Sequence, residues 1–180
     1  MKTPMPGLAS KILLICALLP AGAQLTRAAV AAESEAAISA TIAADSVDVQ
    51  HVMDAYREAV ISHDGARLAA LFLPQGSAWL NVLSDEAYAL AKAKSPDAVK
   101  VRLGSYADFA RLVSTAKGTF NPTHSHLQMS SDGTIASVYF DFVFLIDGKE
   151  QNRGSEAWQL VKGSEGWRIA AISYSSHPRP

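Results

Sequence analysis

The chain has 180 residues, 49% apolar and 18% charged, with a formal net charge of −1. That length and balance describe one globular domain able to bury a real core, and they exclude the disordered class. A near-neutral chain with no basic stripe also excludes a nucleic-acid binder, which needs a positive surface for phosphates.

Lys2 and Lys11 precede an apolar run, Ile12-Leu13-Leu14-Ile15-Cys16-Ala17-Leu18-Leu19. Ala21-Gly22-Ala23 follows, with small residues where a signal peptidase reads. This predicts a secretory signal peptide over residues 1–23, too short to span a membrane stably. Ala29-Val30-Ala31 is a second cleavage candidate. The expected location is periplasmic or secreted, with no membrane contact once the signal is removed. Cleavage after Ala23 also removes Cys16, the sole cysteine, and with it any disulfide or thiol chemistry. A lipid anchor on Cys16 is disfavoured, because Ile15 stands where a small residue is expected. Residues 24–44 are rich in Ala, Ser and Glu without apolar period, and read as a flexible leader.

The predicted domain covers residues 45–175. Asp45 and Ser46 offer N-caps for a first helix. Val49, Val52, Met53, Tyr56, Val60 and His63 recur at three and four, one apolar face. Gly65 is expected to end that helix as its left-handed cap, with His63-Asp64 in the turn. A second helix, Ala66 to Phe72, stops at Pro74, and Gly76 to Leu83 reads as a first strand. Asp85 to Lys94 is compatible with a helix, and Asp97 to Arg102 with a short strand or a loop. Ser105 and Asp108 resemble a capping box before Phe109, Leu112 and Val113, in a helix ending at Gly118.

Thr123 to Ser130 is the next strand. Asp132-Gly133 and Asp147-Gly148 are hairpin signals between β-branched and aromatic runs, and Gly163-Ser164-Glu165-Gly166 is a further turn. The C-terminal half therefore reads as an antiparallel meander, with residues 176–180 a frayed tail. Helices on one side of a bent antiparallel sheet make an α+β domain.

The ordered set Tyr56-Arg57-Glu58-Ala59, His63-Asp64, Leu71-Phe72, Gly104 to Phe109, Ile135 to Phe140, Asp147-Gly148, Gly154 to Val161 and Gly166 to Ile169 resembles the nuclear transport factor 2-like superfamily, in its bacterial SnoaL-like branch. The resemblance spans roughly residues 46–175, the single predicted domain. It implies a cone-shaped, strongly bent antiparallel sheet covered on one side by about three helices, the cystatin-like architecture. It also implies a central pocket and a homodimer formed through the sheet. The superfamily holds isomerases, dehydratases, hydrolases and transport adaptors, so the resemblance leaves function open.

Candidate chemistry rests on few residues. His124 and His126, two apart on a strand, share a face and read as a pocket base, as two metal ligands with Asp141 the nearest third, or as two polar residues on an exposed face. Asp141 interrupts an apolar strand beside Tyr139, and reads as a pocket acid or as a cross-strand partner of a cation. Tyr56 is polar on an apolar helix face, so its hydroxyl needs a partner. The steroid isomerases of the superfamily use a first-helix Tyr with carboxylates; only the Tyr is matched here. Trp79, Phe109 and Tyr139 complete the expected ligand lining, while Trp158 and Trp167 are expected to pack across strands. No Gly-rich phosphate loop, nucleophile elbow or Cys-based zinc pattern is present, and neither a metal nor a cofactor is expected.

Two functions stand side by side. One is an exported binding module for a small apolar or aromatic molecule. The other is a cofactor-free lyase or isomerase with His124, Asp141 and Tyr56 as base, acid and oxyanion donor. A dimeric interaction module with a vestigial pocket is a third. Convergence of His124, Asp141 and Tyr56 on one cavity separates them.

Overall fold

The structure is a computed structural model that describes residues 21–74 and 76–178. The body of the expected signal peptide, with Cys16, lies outside the described residues. The chain divides into two units, Met1–Ile38 and Ser39–Pro180. In the first, residues 21–38 are helical, with Val30 and Ile38 exposed. Among the described residues no helix is long and apolar enough to cross a membrane.

Four helices are present: α1 (Ala21–Ile61), α2 (Gly65–Ala69), α3 (Asp85–Lys94) and α4 (Tyr106–Thr115). Six strands follow the same chain order: β1 (Ala78–Leu83), β2 (Val101–Leu103), β3 (Phe120–Ser131), β4 (Ile135–Ile146), β5 (Lys149–Gly163) and β6 (Gly166–Ser176). They form one bent, open sheet in the order β2-β1-β6-β5-β4-β3. The fold is α+β as expected, but the sheet is mixed, because β1 pairs parallel to β6.

Three local expectations differ from the structure. Residues 24–44 are helical, as part of α1. Ala is the best helix former, so the missing apolar period reported only the lack of a packed stripe. Asp45 is therefore inside a helix rather than a cap. It is buried, and its Oδ1 lies 2.8 Å from Lys162 Nζ on β5.

The turn after α1 is built differently too. His63, not Gly65, takes the left-handed backbone, at φ 59°. Gly65 instead opens α2, where any Cβ would strike Ala110 O and Ser114 Oγ of α4. Close helix approach is its reason for being glycine. The chain end is also ordered further than expected, since β6 pairs with β1 as far as Ser176 and Ser84 N donates to Ser176 O at 2.9 Å.

The other signals form as their chemistry dictates. Ser105 caps α4, accepting from Asp108 N at 3.0 Å. Asp147 and Gly148 both have positive φ, the two-residue turn matching strand twist. The core sits between the α1 stripe, Val49, Met53, Tyr56 and Val60, and the inner sheet face, where Val138, Phe140, Trp158, Leu160, Ile169 and Ile172 are buried. Trp158 and Trp167 are not cross-strand partners: Trp158 faces Ile172, and Trp167 faces Lys162.

Candidate functional site

The inner sheet face does not close solidly under the helices. A cavity of about 390 Å³ opens there, within the usual range for small-molecule sites. α1 supplies Tyr56, β1 supplies Trp79, α4 supplies Phe109 and Leu112, and the meander supplies His124, Phe142, Phe144, Asn152, Glu156 and Tyr174.

Strand alternation decides which side chains arrive. On β4, Val138, Phe140, Phe142 and Phe144 share the inner face, and Tyr139 and Asp141 the outer one. Phe140 stands opposite Glu156, and Glu156 opposite Tyr174, so the carboxyl lies between two aromatic neighbours on the inner face. His124 stands opposite Phe142, with its ring centroid 4.4 Å from that of Phe140. Tyr56 descends from α1 onto Trp158 at 4.9 Å and stacks near Phe109 at 6.3 Å. Trp79 packs against Phe109 at 5.4 Å and edge-on to Tyr174 at 6.1 Å. The walls are thus a connected aromatic shell.

Glu156 is the group that stands out. It is 8% exposed, and among the described residues its one hydrogen bond is from Trp158 Nε1 to Oε1 at 2.8 Å. Burial without a cationic partner pushes its carboxyl up to about 7, against the smaller downward pull of that N–H. At neutral pH it therefore exchanges between acid and carboxylate. Burial also pulls His124 down to about 4, helped by the nearby charge of Arg57 and opposed by Asp54. That imidazole is neutral at pH 7 and keeps a lone pair. The Tyr56 hydroxyl is pushed well above its ordinary value by burial first, then by Glu156 and Tyr174, so it stays a donor. Tyr174 is raised by burial too, while Trp79 donates a hydrogen bond to it.

The expected constellation of Tyr56, His124 and Asp141 does not assemble. Tyr56 and His124 meet in the cavity with Trp79 and Phe109, but Asp141 is on the opposite face. There it accepts from Ser155 Oγ at 2.8 Å and lies 2.9 Å from His126 Nδ1. Those two bonds, Ser155 first, hold its carboxyl below the usual range. Its partners are a hydroxyl and an imidazole, not the Lys or Arg expected of an outer-face acid.

His126 also leaves the face it was expected to share with His124. The β3–β4 register shifts between Ser125 and Gln128, and His126 takes φ 53°. This β-bulge breaks the period of two and turns His126 toward Asp141. Tyr139 is 48% exposed and lines no part of the cavity. A second concavity of about 270 Å³ on the Asp141 side is lined by Arg153, Ser155 and His177.

Glu156 and Tyr174 were missed in the sequence. The available signal was register: Glu156, Trp158 and Leu160 alternate, which puts an acid in line with two large apolar residues. Among the described residues no cluster of three His, Cys, Asp or Glu could hold a metal.

No protein-family model and no curated protein matches the chain. Solved structures do. A proposed scytalone dehydratase from Novosphingobium aromaticivorans DSM 12444 is 17% identical, with 77% of this chain and 87% of that one covered at TM-score 0.56. A nuclear transport factor 2-like protein of unknown function from Pseudomonas putida KT2440 is 11% identical, with 74% and 86% covered at TM-score 0.55. A proposed dehydratase of the same class from Streptomyces avermitilis is 14% identical, with 74% and 96% covered at TM-score 0.53.

Proposed function

We propose that this chain, which has the nuclear transport factor 2-like fold, is a receptor for a small, largely apolar or aromatic molecule. The observation that carries the reading is an aromatic-walled cavity of about 390 Å³ that holds one buried carboxyl, Glu156, with no charged partner among the described residues. Apolar walls supply affinity through the area they remove from water, and few polar groups fix orientation. Glu156, Tyr56, Tyr174 and His124 are the polar groups on hand. The reading includes export to the periplasm or medium, supported by Lys2, Lys11 and the apolar run after them. It also includes a homodimer through the sheet, supported by the fold resemblance.

A second reading is cofactor-free isomerisation or dehydration. Glu156 favours it, because an acid that titrates near 7 suits proton transfer at neutral pH. His124, neutral and lining the same cavity, would be the second proton carrier. Two of the similar solved structures carry dehydratase descriptions, which agrees in class.

The test is native mass spectrometry of the full chain isolated from its own cells, beside Phe109→Arg, which fills the cavity from α4. The expected result is a small-molecule mass on the wild-type chain that Phe109→Arg lacks while keeping its melting transition. A wild-type chain that carries no such mass, and gains none from a panel of aromatic alcohols, ketones and amines, overturns the receptor reading.

A further inference from the structure

Among the described residues the cavity lining contains no Lys and no Arg. Four of its polar side chains are rich in lone pairs: the Glu156 carboxyl on β5, the neutral His124 ring on β3, and the hydroxyl oxygens of Tyr56 on α1 and Tyr174 on β6. Around them stand the faces and edges of Tyr56, Trp79, Phe109, Phe142, Phe144 and Tyr174. An anionic ligand would meet a carboxyl and no counter-charge, which excludes it on desolvation grounds. A cation would meet both a carboxylate and aromatic rings, whose quadrupoles attract positive charge.

We propose that the molecule this cavity takes is an organic monocation, a protonated amine on an aromatic or aliphatic body, with its ammonium group beside Glu156. The proposal rests on the receptor reading above. Its ground is the carboxyl itself: among the described residues this buried group has one N–H bond and no cationic partner, which is costly for the carboxylate form. An ammonium at that place offsets the cost and completes the carboxylate's hydrogen bonding.

The groups that face Glu156 are consistent with this. Tyr56 comes from α1, Phe140 from β4, Trp158 from β5 itself and Tyr174 from β6, all uncharged at neutral pH. Arg57 acts on His124 and Arg102 on Tyr174, but neither lines the cavity. At the mouth, Asp108 is already paired with Arg111.

The test compares phenethylamine with its neutral analogue 2-phenylethanol, by calorimetry on the full chain at pH 8 and pH 5.5. The amine is expected to bind at least about tenfold more tightly at pH 8, a lead that shrinks at pH 5.5 as Glu156 takes its proton. Glu156→Gln keeps an acceptor for Trp158 Nε1. It is expected to lose the preference for the amine, so that the amine-to-alcohol affinity ratio falls to about one at both pH values. If the alcohol matches or beats the amine at pH 8, the ligand is neutral, the cation is ruled out and the receptor reading stands. If neither binds, the amine proposal falls, and the receptor reading is decided separately by the retained mass and the panel of aromatic alcohols, ketones and amines. Should the Gln variant not fold, the amine-to-alcohol ratio and its pH dependence on the wild type still decide.

Discussion

Trp158 shows how one side chain serves both the core and the cavity. Its indole is fully buried against Tyr56 and Phe140, while its N–H leaves the apolar packing to hold Glu156. Removing it leaves a void and strips the acid of its one donor. Trp158→Ala is expected to destabilise the domain by about 3–5 kcal/mol in denaturant melts, and a loss under about 1 kcal/mol would show the ring is peripheral. Asp141, the acid that was easiest to notice, turns out to be a surface group satisfied by Ser155 and His126. The sequence made Asp141 conspicuous because it breaks an apolar run. It hid Glu156, which starts one.

The elements were largely legible because each has a local cause. Apolar period built the α1 stripe, Ser105 capped α4, and Asp147-Gly148 turned β4 into β5. The bulge on β3 was not legible. No residue between Ser125 and Gln128 is glycine, and His126 adopts a left-handed backbone that side chains resist. It is held there by the bond from its ring to Asp141. Since the strain is in the backbone and the compensation in the side chain, two variants separate them. His126→Ala keeps the strain and loses the bond; His126→Gly loses both. The Gly variant is expected to be the more stable of the two by about 1 kcal/mol in equilibrium unfolding. An Ala variant as stable as Gly would show that the bulge is not held in the left-handed region. The parallel pairing of β1 with β6 was equally hidden, because it joins residues about ninety positions apart and no local signal records it.

For the molecule as a whole, the cavity costs stability in a pH-dependent way. Glu156 has a raised value in the folded chain, so folding favours its protonated form. Its contribution is intact below the ordinary carboxylate range. It is lost as pH rises through about 7. His124 is lowered, so its contribution is intact above the ordinary imidazole range and is lost as pH falls toward about 4. Glu156→Gln removes the first loss. Relative to wild type, the variant is expected to gain stability between pH 5 and pH 8, by up to about 3 kcal/mol. A wild type and variant whose melting temperatures differ equally at both pH values would show that Glu156 is not buried as an acid.

The three Trp residues offer a direct reading of where a ligand sits. Trp79 lines the cavity, the Trp158 N–H is bonded to Glu156, and Trp167 lies elsewhere, opposite Lys162 near the β5–β6 turn. The decisive measurement is the indole region of a proton–nitrogen correlation spectrum during titration with a small aromatic ligand. The account predicts saturable shifts of the Trp79 and Trp158 indole signals with Trp167 unmoved. Saturation that leaves Trp79 and Trp158 in place, or that moves Trp167 alone, would contradict it.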